Sequence, residues 1–413
     1  MINCFYDCYN ILNKVYGEKT FLKQAISETI IEEKNRPLTI KICYGVLDKD
    51  IELSYYIKSL TEKSPKAVIR IILKIAMYSI KYLQKKGYAV TQNTVELVKK
   101  LGKGGMSGFV NAFLRKFLSS SIELPQDLLE NLSVKYSYPK FVIDKLFKVY
   151  NKERVEKILG AQNIKTTLAF YSEGAEEYLK RRQINYKKTP FENVFSTQNF
   201  VRDEMYDKGF YTYQALGSVA ICDVVKPCDS LLDCCAAPGG KSIRLSYKCN
   251  KITSWDIHEH RVGLIKSYIN RMNRNNICAT VKDAKQFNEN LTEKFDAVLC
   301  DAPCSGLGVV NDNPDIKLFR EESQLLSILE EQKSILANVS KYVKVGGILY
   351  YSTCSILKCE NSDIIKDFLQ KNNNFVLEQI DSPLPHEKDN GIVFMPDISC
   401  GLGFFVSALK KIK

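Results

Sequence analysis

The segment LLDCCAAPGGKS at 231–242 constrains the fold more strongly than any other stretch of this chain. Apolar residues lead to Asp233, small residues and a Pro-Gly-Gly turn follow, and Lys241 opens an apolar-periodic segment. This order is typical of a β-strand, a tight turn and the start of a helix. Because glycine has no Cβ, such a turn lets the backbone approach a ligand closely. The segment matches neither the GxGxxG fingerprint nor a P-loop, so both kinds of phosphate cradle are disfavoured.

From about residue 212 onward, β-like apolar runs alternate with amphipathic stretches. This alternation predicts a doubly wound α/β domain with a mostly parallel sheet, in which ligands bind beyond the carboxyl ends of the strands. The predicted strands are 230–235, 251–257, 277–282, 295–301 and 347–352, the predicted helices are 241–247, 260–272 and 321–342, and two late strands at 375–380 and 404–409 close the sheet.

Three carboxylates follow three consecutive predicted strands. Asp256 is placed to accept both ribose hydroxyls of a nucleoside cofactor. Asp283 could reach an adenine amino group, although capping of the following helix is an alternative. Asp301 ends the fourth strand, in DAPCSG. Acids beside a glycine turn that lacks a phosphate motif suit a nucleoside cofactor with a positive charge. S-adenosylmethionine, a sulfonium, is such a cofactor.

Two of the 14 cysteines follow predicted strand ends, Cys304 in DAPCSG and Cys354 in STCS. If the fourth and fifth strands are neighbours, they lie about 4.8 Å apart, and both thiols project at one sheet edge beside the cofactor. Cysteine is intrinsically nucleophilic, and a few per cent of it is thiolate at pH 7. Most free cysteines are packing residues, and Cys300 and Cys235 fit that description too.

The first 125 residues have helical spacing of apolar side chains throughout, with 67–83 as the densest apolar helix. Residues 126–200 are interpreted as a linker subdomain with short helices. Its run Lys180-Arg181-Arg182, followed by Lys187-Lys188 with Tyr178 and Tyr186 interleaved, combines cations with stacking faces and suits RNA. The chain has 59 Lys+Arg and 47 Asp+Glu, a net charge that also favours nucleic acid, although solvated surface is an alternative for both features.

Several classes of protein are disfavoured by what the sequence does not contain. The N-terminus lacks a signal-peptide pattern and no apolar run reaches the length of a membrane span, so a cytoplasmic protein with reduced thiols and no membrane partner is expected. There is no CxxC pair and there are 3 histidines, so no metal site is expected.

The segments RIILKIAMYSIKYL, AVTQNTVELVKK and FVNAFLRKFL resemble the NusB-like RNA-binding domain, with Arg70, Asn111 and Arg115 where its pattern is most characteristic. CAAPGGK, DAPCSG and TCSxxxxEN, in that order, resemble the RNA cytosine-C5 methyltransferase family, of the RsmB/Sun type that acts on small-subunit rRNA. The resemblance covers essentially the full length. It implies a NusB-like helical domain at 1–125, a linker subdomain at 126–200 and a Rossmann-like methyltransferase domain at 201–413.

The resemblance also implies residue roles. Cys354 would be the nucleophile and Cys304 would assist product release. Asp301 is the candidate donor to N3 of the cytosine, for which burial would have to keep it neutral. The implied cofactor contacts are Cys235, Ala236, Ala237, Pro238, Gly239, Gly240, Lys241, Asp256, Asp283 and Asp301.

Departures from the family pattern fall in the segments expected to face RNA. QDxSS keeps only Gln214 and Ser218, the basic pair before HPDIKW is missing at 311–317, the RVN element reads FYS at 170–172, and DGFF lacks its acid at 402–405. A monomer that methylates 16S rRNA is expected. The alternatives are a tRNA cytosine-C5 methyltransferase and a catalytically idle RNA-binding assembly factor. A DNA methyltransferase would carry its nucleophile in the PC motif, and a dehydrogenase would need GxGxxG.

Overall fold

The computed structural model describes residues 2–162, 166–198, 200, 202–399 and 401–413. By their contacts they form two compact units. The helical unit contains Met1–Gly160 and Val310–Glu321, and the sheet unit contains Ala161–Val309 and Glu322–Lys413. The fold class expected from the sequence is confirmed, since helices fill the first unit and the second contains a sheet with a parallel centre. That sheet is mixed rather than mostly parallel, because the strands on the side of Phe404–Lys411 pair antiparallel.

The helices predicted at 67–83, 241–247, 260–272 and 321–342 are present, with ends that differ from the prediction by a few residues. None of the described helices is long and apolar enough to cross a membrane. In chain order they are α1 (Ile2–Glu18), α2 (Leu22–Ser27), α3 (Arg36–Asp48), α4 (Asp50–Leu60), α5 (Ala67–Lys81), α6 (Gly87–Lys100), α7 (Ser107–Ser119), α8 (Leu128–Tyr136), α9 (Lys140–Phe147), α10 (Lys152–Gly160), α11 (Ala175–Arg181), α12 (Glu204–Asp207), α13 (Leu216–Val224), α14 (Gly240–Leu245), α15 (Glu259–Arg271), α16 (Ile316–Phe319), α17 (Glu322–Val339) and α18 (Ser362–Lys371).

The strands form two sheets, both within the sheet unit. In chain order they are β1 (Thr166–Phe170), β2 (Tyr186–Lys188), β3 (Val194–Thr197), β4 (Tyr211–Tyr213), β5 (Cys228–Asp233), β6 (Cys249–Asp256), β7 (Ile277–Val281), β8 (Phe295–Asp301), β9 (Val343–Thr353), β10 (Phe375–Glu378), β11 (Glu387–Lys388), β12 (Ile392–Phe394) and β13 (Phe404–Lys411).

The helical unit is built around α5, which is apolar on nearly all sides and contributes Ile72, Leu73 and Ile75 to the core without solvent exposure. A helix that is hydrophobic all round is expected at the centre of a bundle. The unit extends beyond residue 125, because α8 packs on α4 and the Ser137 hydroxyl accepts a hydrogen bond from the backbone N–H of Glu52. The contacts therefore divide the chain at Gly160, not at 125 and 200, and the three-domain boundaries remain a prediction.

A segment from the second half of the sequence, Val310–Glu321, completes the helical unit. Lys317 on α16 is buried there and its ammonium donates to the Asp48 carboxylate at 2.7 Å and to the Asp48 carbonyl at 2.8 Å. The Asp315 carboxylate accepts from the backbone N–H of Leu22 at 3.0 Å. Residues 311–317 depart from the family pattern, and two of them, Asp315 and Lys317, hold this segment in the helical unit.

The large sheet has the order β11-β12-β13-β9-β8-β5-β6-β7, with β10 added to β13. β5 is parallel to both β6 and β8, and β9 is parallel to β8, whereas β13 is antiparallel to β9. The strand order reverses between β5 and β8, which is the switch point where doubly wound sheets bind ligands. All seven predicted strands are present, and β11 and β12 are additional.

A four-stranded antiparallel sheet has the order β2-β3-β1-β4. Its first three strands lie in the region 126–200 that the sequence indicated as a linker, and β4 lies beyond it. Tyr178 is buried against Phe170 in its core, so the expectation that this ring offers a stacking face is wrong. Arg182 pairs with Asp203, and Lys188 pairs with Glu176 at 2.9 Å. The basic cluster is therefore partly neutralised. The members of it that remain exposed are Lys180, Arg181, Arg182, Lys187 and Lys188.

Candidate active site

The turn after β5 has the close-approach geometry that its sequence predicts. Gly239 has a φ of +110°, which side chains other than glycine rarely adopt, and a Cβ there would lie 3.4 Å from the Ile265 Cα. The amide of Gln214, the residue retained from the altered QDxSS element, donates to the Gly240 carbonyl at 3.3 Å. The turn is thereby fixed at the carboxyl end of β5, beside the switch point.

Asp233, at the end of β5, lies in the site although no site role for it was predicted from the sequence. The carboxylate is fully buried and accepts a hydrogen bond from the Ser242 hydroxyl at 2.6 Å, and Ser242 accepts from Ser254 at 2.9 Å. Its second oxygen, Oδ1, has no hydrogen-bond partner of normal geometry in the described part of the chain. Burial raises the pKa of Asp233 to about 7. Its position before CCAAPGG was the available signal.

Asp256 and Asp283 end neighbouring strands of the same edge. Asp256 is 4% exposed, accepts from the His258 N–H at 3.1 Å and lies 3.5 Å from the Arg261 guanidinium. Its position at the end of β6 fits the predicted ribose contact. Asp283 accepts from the Lys285 N–H at 2.9 Å within a local turn, and no described helix begins there, so its alternative role as a helix cap is wrong. Its contact with adenine stays a prediction.

Asp301 is held differently from the sequence-based expectation. Its Oδ2 lies 2.6 Å from the Lys241 ammonium, and its Oδ1 accepts from the Ser352 hydroxyl at 2.7 Å. Burial alone would lower the pKa of Lys241, but the charge and hydrogen bond of Asp301 outweigh it and raise that pKa. Two donors, one of them a cation, favour a carboxylate, so the expectation of a neutral Asp301 is wrong in this structure.

The two predicted cysteines meet. β8 and β9 are neighbours, and the Cys304 and Cys354 sulfurs lie 3.1 Å apart, with the Cys354 N–H 3.4 Å from the Cys304 sulfur. The hydrogen bond with Cys354 and burial raise the pKa of the Cys304 thiol well above its usual range. Cys304 therefore keeps its proton and can donate it toward the Cys354 sulfur. Both thiols are half-buried, whereas Cys300 is fully buried as a packing residue and Cys235 is half-buried.

Glu360 and Asn361, the last two residues of the TCSxxxxEN motif, support both cysteine loops. The buried Glu360 carboxylate accepts from the Ser305 N–H at 2.7 Å and from the Ser355 hydroxyl. Asn361 accepts from the Thr353 hydroxyl and donates to the Ser355 carbonyl at 3.0 Å. Each cysteine thus has neighbours bound by this pair.

Backbone hydrogen bonds from Gly308, and from Gly403 near the C-terminus, also hold the Cys304 loop in place. The Gly308 N–H donates to the Cys354 carbonyl at 2.8 Å, and the Gly403 N–H donates to the Gly308 carbonyl at 2.7 Å. A Cβ on Gly308 would lie 2.0 Å from the Gly403 carbonyl oxygen, so two glycines are needed for this approach. Gly403 belongs to the altered DGFF element, whose backbone contact does not depend on the missing acid.

These residues fit a cationic nucleoside cofactor. The turn at Gly239 leaves room for backbone approach, Asp256 offers a buried acceptor, and Asp233 has a buried oxygen without a normal hydrogen bond. Asp233 and Asp256 place two buried carboxyl groups at this edge, which suits a sulfonium better than a phosphate. The predicted contacts from Cys235 to Lys241 all lie in or next to the turn.

We expect Asp256→Ala to weaken the binding of S-adenosylmethionine roughly 10- to 150-fold, because a hydrogen bond to a charged acceptor is worth about 1.5–3 kcal/mol. Titration calorimetry measures the change. Asp229→Ala is the matched control, because Asp229 is exposed near the opposite end of β5 and bonds only the Asn250 amide at 2.7 Å in the contacts described here. Unchanged affinity in folded Asp256→Ala protein would contradict the ribose assignment.

The doubly wound sheet, its glycine turn and the paired thiols define the class of Rossmann-like methyltransferases. A family model described as 16S rRNA methyltransferase RsmB/F matches residues 223–410, and the NusB family model matches residues 8–119. The class is thus an RNA methyltransferase that carries a NusB domain.

The chain belongs to the ribosomal RNA small subunit methyltransferase B family. It is 30% identical to the probable ribosomal RNA small subunit methyltransferase B of Bacillus subtilis strain 168, over 97% of this chain and 95% of that protein. It is 29% identical to ribosomal RNA small subunit methyltransferase B of Photorhabdus laumondii, over 92% of each chain. The predicted cofactor, S-adenosylmethionine, is confirmed as that of the methyltransferase family.

Solved structures agree with the fold. The crystal structure of PH0851 has a TM-score of 0.85 at 20% identity, over 100% of this chain and 99% of that chain. NSun6 from Pyrococcus horikoshii, crystallised with SFG, has a TM-score of 0.60 at 18% identity, over 67% of this chain and 99% of that chain.

Proposed function

We propose that this protein methylates C5 of a cytosine in 16S rRNA through a covalent bond between the Cys354 sulfur and C6 of the base. The proposal rests above all on the approach of the Cys354 and Cys304 sulfurs to 3.1 Å at the carboxyl edge of the sheet. A protonated thiol beside the nucleophilic sulfur can donate a hydrogen bond to it, which stabilises the thiolate both before attack and on departure.

C5 of cytosine is a poor nucleophile by itself. Addition of the Cys354 thiolate to C6 makes C5 enamine-like, so that C5 can attack a methyl group. The Cys304 thiol stabilises the thiolate before the attack, because its S–H is placed to donate to the Cys354 sulfur. S-adenosylmethionine supplies the methyl group as an electrophile when it is bound.

Proton transfer at N3 accompanies the addition, since negative charge develops on the ring. We assign the N3 contact to Asp301, whose Oδ2 lies 2.6 Å from the Lys241 ammonium. A proton reaches N3 through Asp301 as the sulfur adds, and it returns when the ring recovers its aromatic form. This assignment keeps Asp301 as a catalytic candidate without requiring it to be neutral at rest.

Release requires a base to remove the C5 proton while the C6–S bond breaks and Cys354 departs as a thiolate. The Cys304 S–H donates to that departing sulfur as it did to the attacking one. Without this donor the leaving thiolate is less stable, and the adduct is expected to persist. The target cytosine must also be unstacked, at a cost of a few kcal/mol that RNA contacts of the protein offset.

Purified protein is expected to transfer labelled methyl groups from S-adenosylmethionine to 16S rRNA, and bisulfite sequencing is expected to place the label at a single cytosine. The substrates to compare are naked 16S rRNA, assembled small subunits and total tRNA. Ribosomal RNA from a deletion strain should lack the modification and regain it when the gene is restored.

The same comparison separates the alternatives. Label in tRNA alone would favour a tRNA cytosine-C5 methyltransferase. No transfer to any RNA, with rRNA still bound, would favour an assembly factor without catalysis. Label on a base other than cytosine would remove the proposed chemistry while leaving the family membership unchanged.

A further inference from the structure

Glu360 occupies an unusual position between the two catalytic loops. It is fully buried, and it accepts from hydroxyl and amide groups rather than pairing with a cation: from the Ser305 N–H at 2.7 Å, the Ser305 hydroxyl at 2.6 Å, the Ser355 hydroxyl and the Gln332 amide at 3.2 Å. Burial of a carboxylate is costly unless donors surround it, so this set of donors points to a specific role.

The donors come from the residues next to the cysteines. Ser305 follows Cys304 and gives two hydrogen bonds to Glu360, whereas Ser355 follows Cys354 and gives one. The carboxylate thus binds both loops and engages the Cys304 loop more extensively. Its charge is one of the causes that raise the pKa of the Cys304 thiol.

We propose that Glu360 is a positioning residue that decides which of the two thiols is the nucleophile. It joins the loops so that the two sulfurs approach, and its negative charge beside the Cys304 loop disfavours loss of the Cys304 proton, so that Cys354 is the thiol that gives up its proton for attack. The catalytic importance of this role rests on the proposed covalent mechanism. Which of the two thiols ionises first can nevertheless be measured without RNA or cofactor.

Iodoacetamide provides the probe. A thiolate sulfur forms a bond to the methylene carbon of the reagent while the carbon–iodine bond breaks and iodide leaves, so the alkylation rate of each cysteine follows its thiolate fraction. At neutral pH and low conversion, peptide mass spectrometry measures the rates at Cys354 and Cys304 separately. The exposed Cys278 is an internal reference in the same sample.

In the wild-type protein, Cys354 is expected to be alkylated faster than Cys304. In Glu360→Gln, which keeps the shape and removes the charge, the ratio of the Cys354 rate to the Cys304 rate should fall roughly 10-fold, which corresponds to about 1.36 kcal/mol of lost interaction. Glu330→Gln, on an exposed residue of α17, is the matched control and should leave the ratio unchanged. A purely structural role for Glu360 would change both rates together.

An unchanged ratio in folded Glu360→Gln would overturn the proposal. If that variant does not fold, Glu360→Asp keeps the charge and must still react first at Cys354, and a preference for Cys304 there would overturn it as well. Because alkylation needs no substrate, it tests the role of Glu360 separately from rRNA methylation, which tests the proposed function. Loss of methylation with the wild-type alkylation order intact would affect the proposed function alone.

Discussion

Cys354→Ala is expected to abolish methylation, and Cys304→Ala is expected to trap the protein on its RNA. Without the Cys354 sulfur no adduct forms at C6. Without the Cys304 thiol the adduct forms but its thiolate leaves poorly, so a protein–RNA band should survive denaturing electrophoresis when S-adenosylmethionine and 16S rRNA are present. The double variant should give no band, because trapping requires prior attack.

The exposed Cys278 offers a matched control, since Cys278→Ala should neither trap RNA nor change the methylation rate. A trapped band from Cys354→Ala and none from Cys304→Ala would reverse the two roles and give the arrangement typical of DNA cytosine methyltransferases. If neither variant gives a band and both still methylate, covalent catalysis is absent.

Asp48→Ala is expected to destabilise the helical unit by about 3–5 kcal/mol, because it leaves the buried Lys317 ammonium without its carboxylate. Urea denaturation followed by circular dichroism measures the loss, and hydrogen exchange of α3 locates it. Asp144→Ala is the control, since the Asp144–Lys148 pair is about half exposed and such pairs are worth about 0–1 kcal/mol.

The double variant Asp48→Ala/Lys317→Met is expected to recover much of this loss. Burial outweighs the attraction of Asp48 and lowers the pKa of Lys317, which shows that desolvation of the lysine already offsets part of the pair energy. Removing both charges removes that cost too. A double variant that is less stable than Asp48→Ala would mean that the lysine stabilises the unit through other contacts.

The pair also predicts acid sensitivity. Burial by itself would raise the pKa of Asp48, but the charges of Lys317 and Lys49 outweigh it and lower the pKa below its ordinary value of 3.8. A carboxyl whose folded pKa is lowered contributes stability above its unfolded pKa and loses that contribution as the pH falls through the folded pKa. This loss below pH 3.8 should be present in the wild type and absent in Asp48→Ala.

Much of the sheet unit was readable from the sequence. Alternating apolar runs predicted each main strand because a buried parallel strand needs a continuous apolar segment, and the turn at Gly239 was readable because few residues other than glycine adopt its φ. The meeting of Cys304 and Cys354 was predicted on the condition that the fourth and fifth strands are neighbours, and the pairing of β8 with β9 supplies that condition.

Charge partners and burial of single side chains were decided by the tertiary structure. The sequence could place Asp301 at a strand end, but not the Lys241 ammonium 2.6 Å from it, so its expected neutrality was wrong. Likewise, Tyr178 stands among lysines and arginines in the sequence, yet packs against Phe170 in the core of the small sheet. The spacing of apolar residues predicts which face of a helix or strand is buried. It does not predict which residues pack on that face, because they come from elsewhere in the chain.

The sequence by itself thus determined the order of elements, the cofactor turn and the chemical identity of the two thiols, because these depend on local spacing and residue type. Only the tertiary structure decided that Val310–Glu321 completes the helical unit and that Glu360 binds the loops of both cysteines. Lys317 and Asp48 are about 270 positions apart in the sequence, and Glu360 and Ser305 are 55 positions apart. Local preferences carry no information about such pairs, since they form only when the chain closes long loops and buries the groups together.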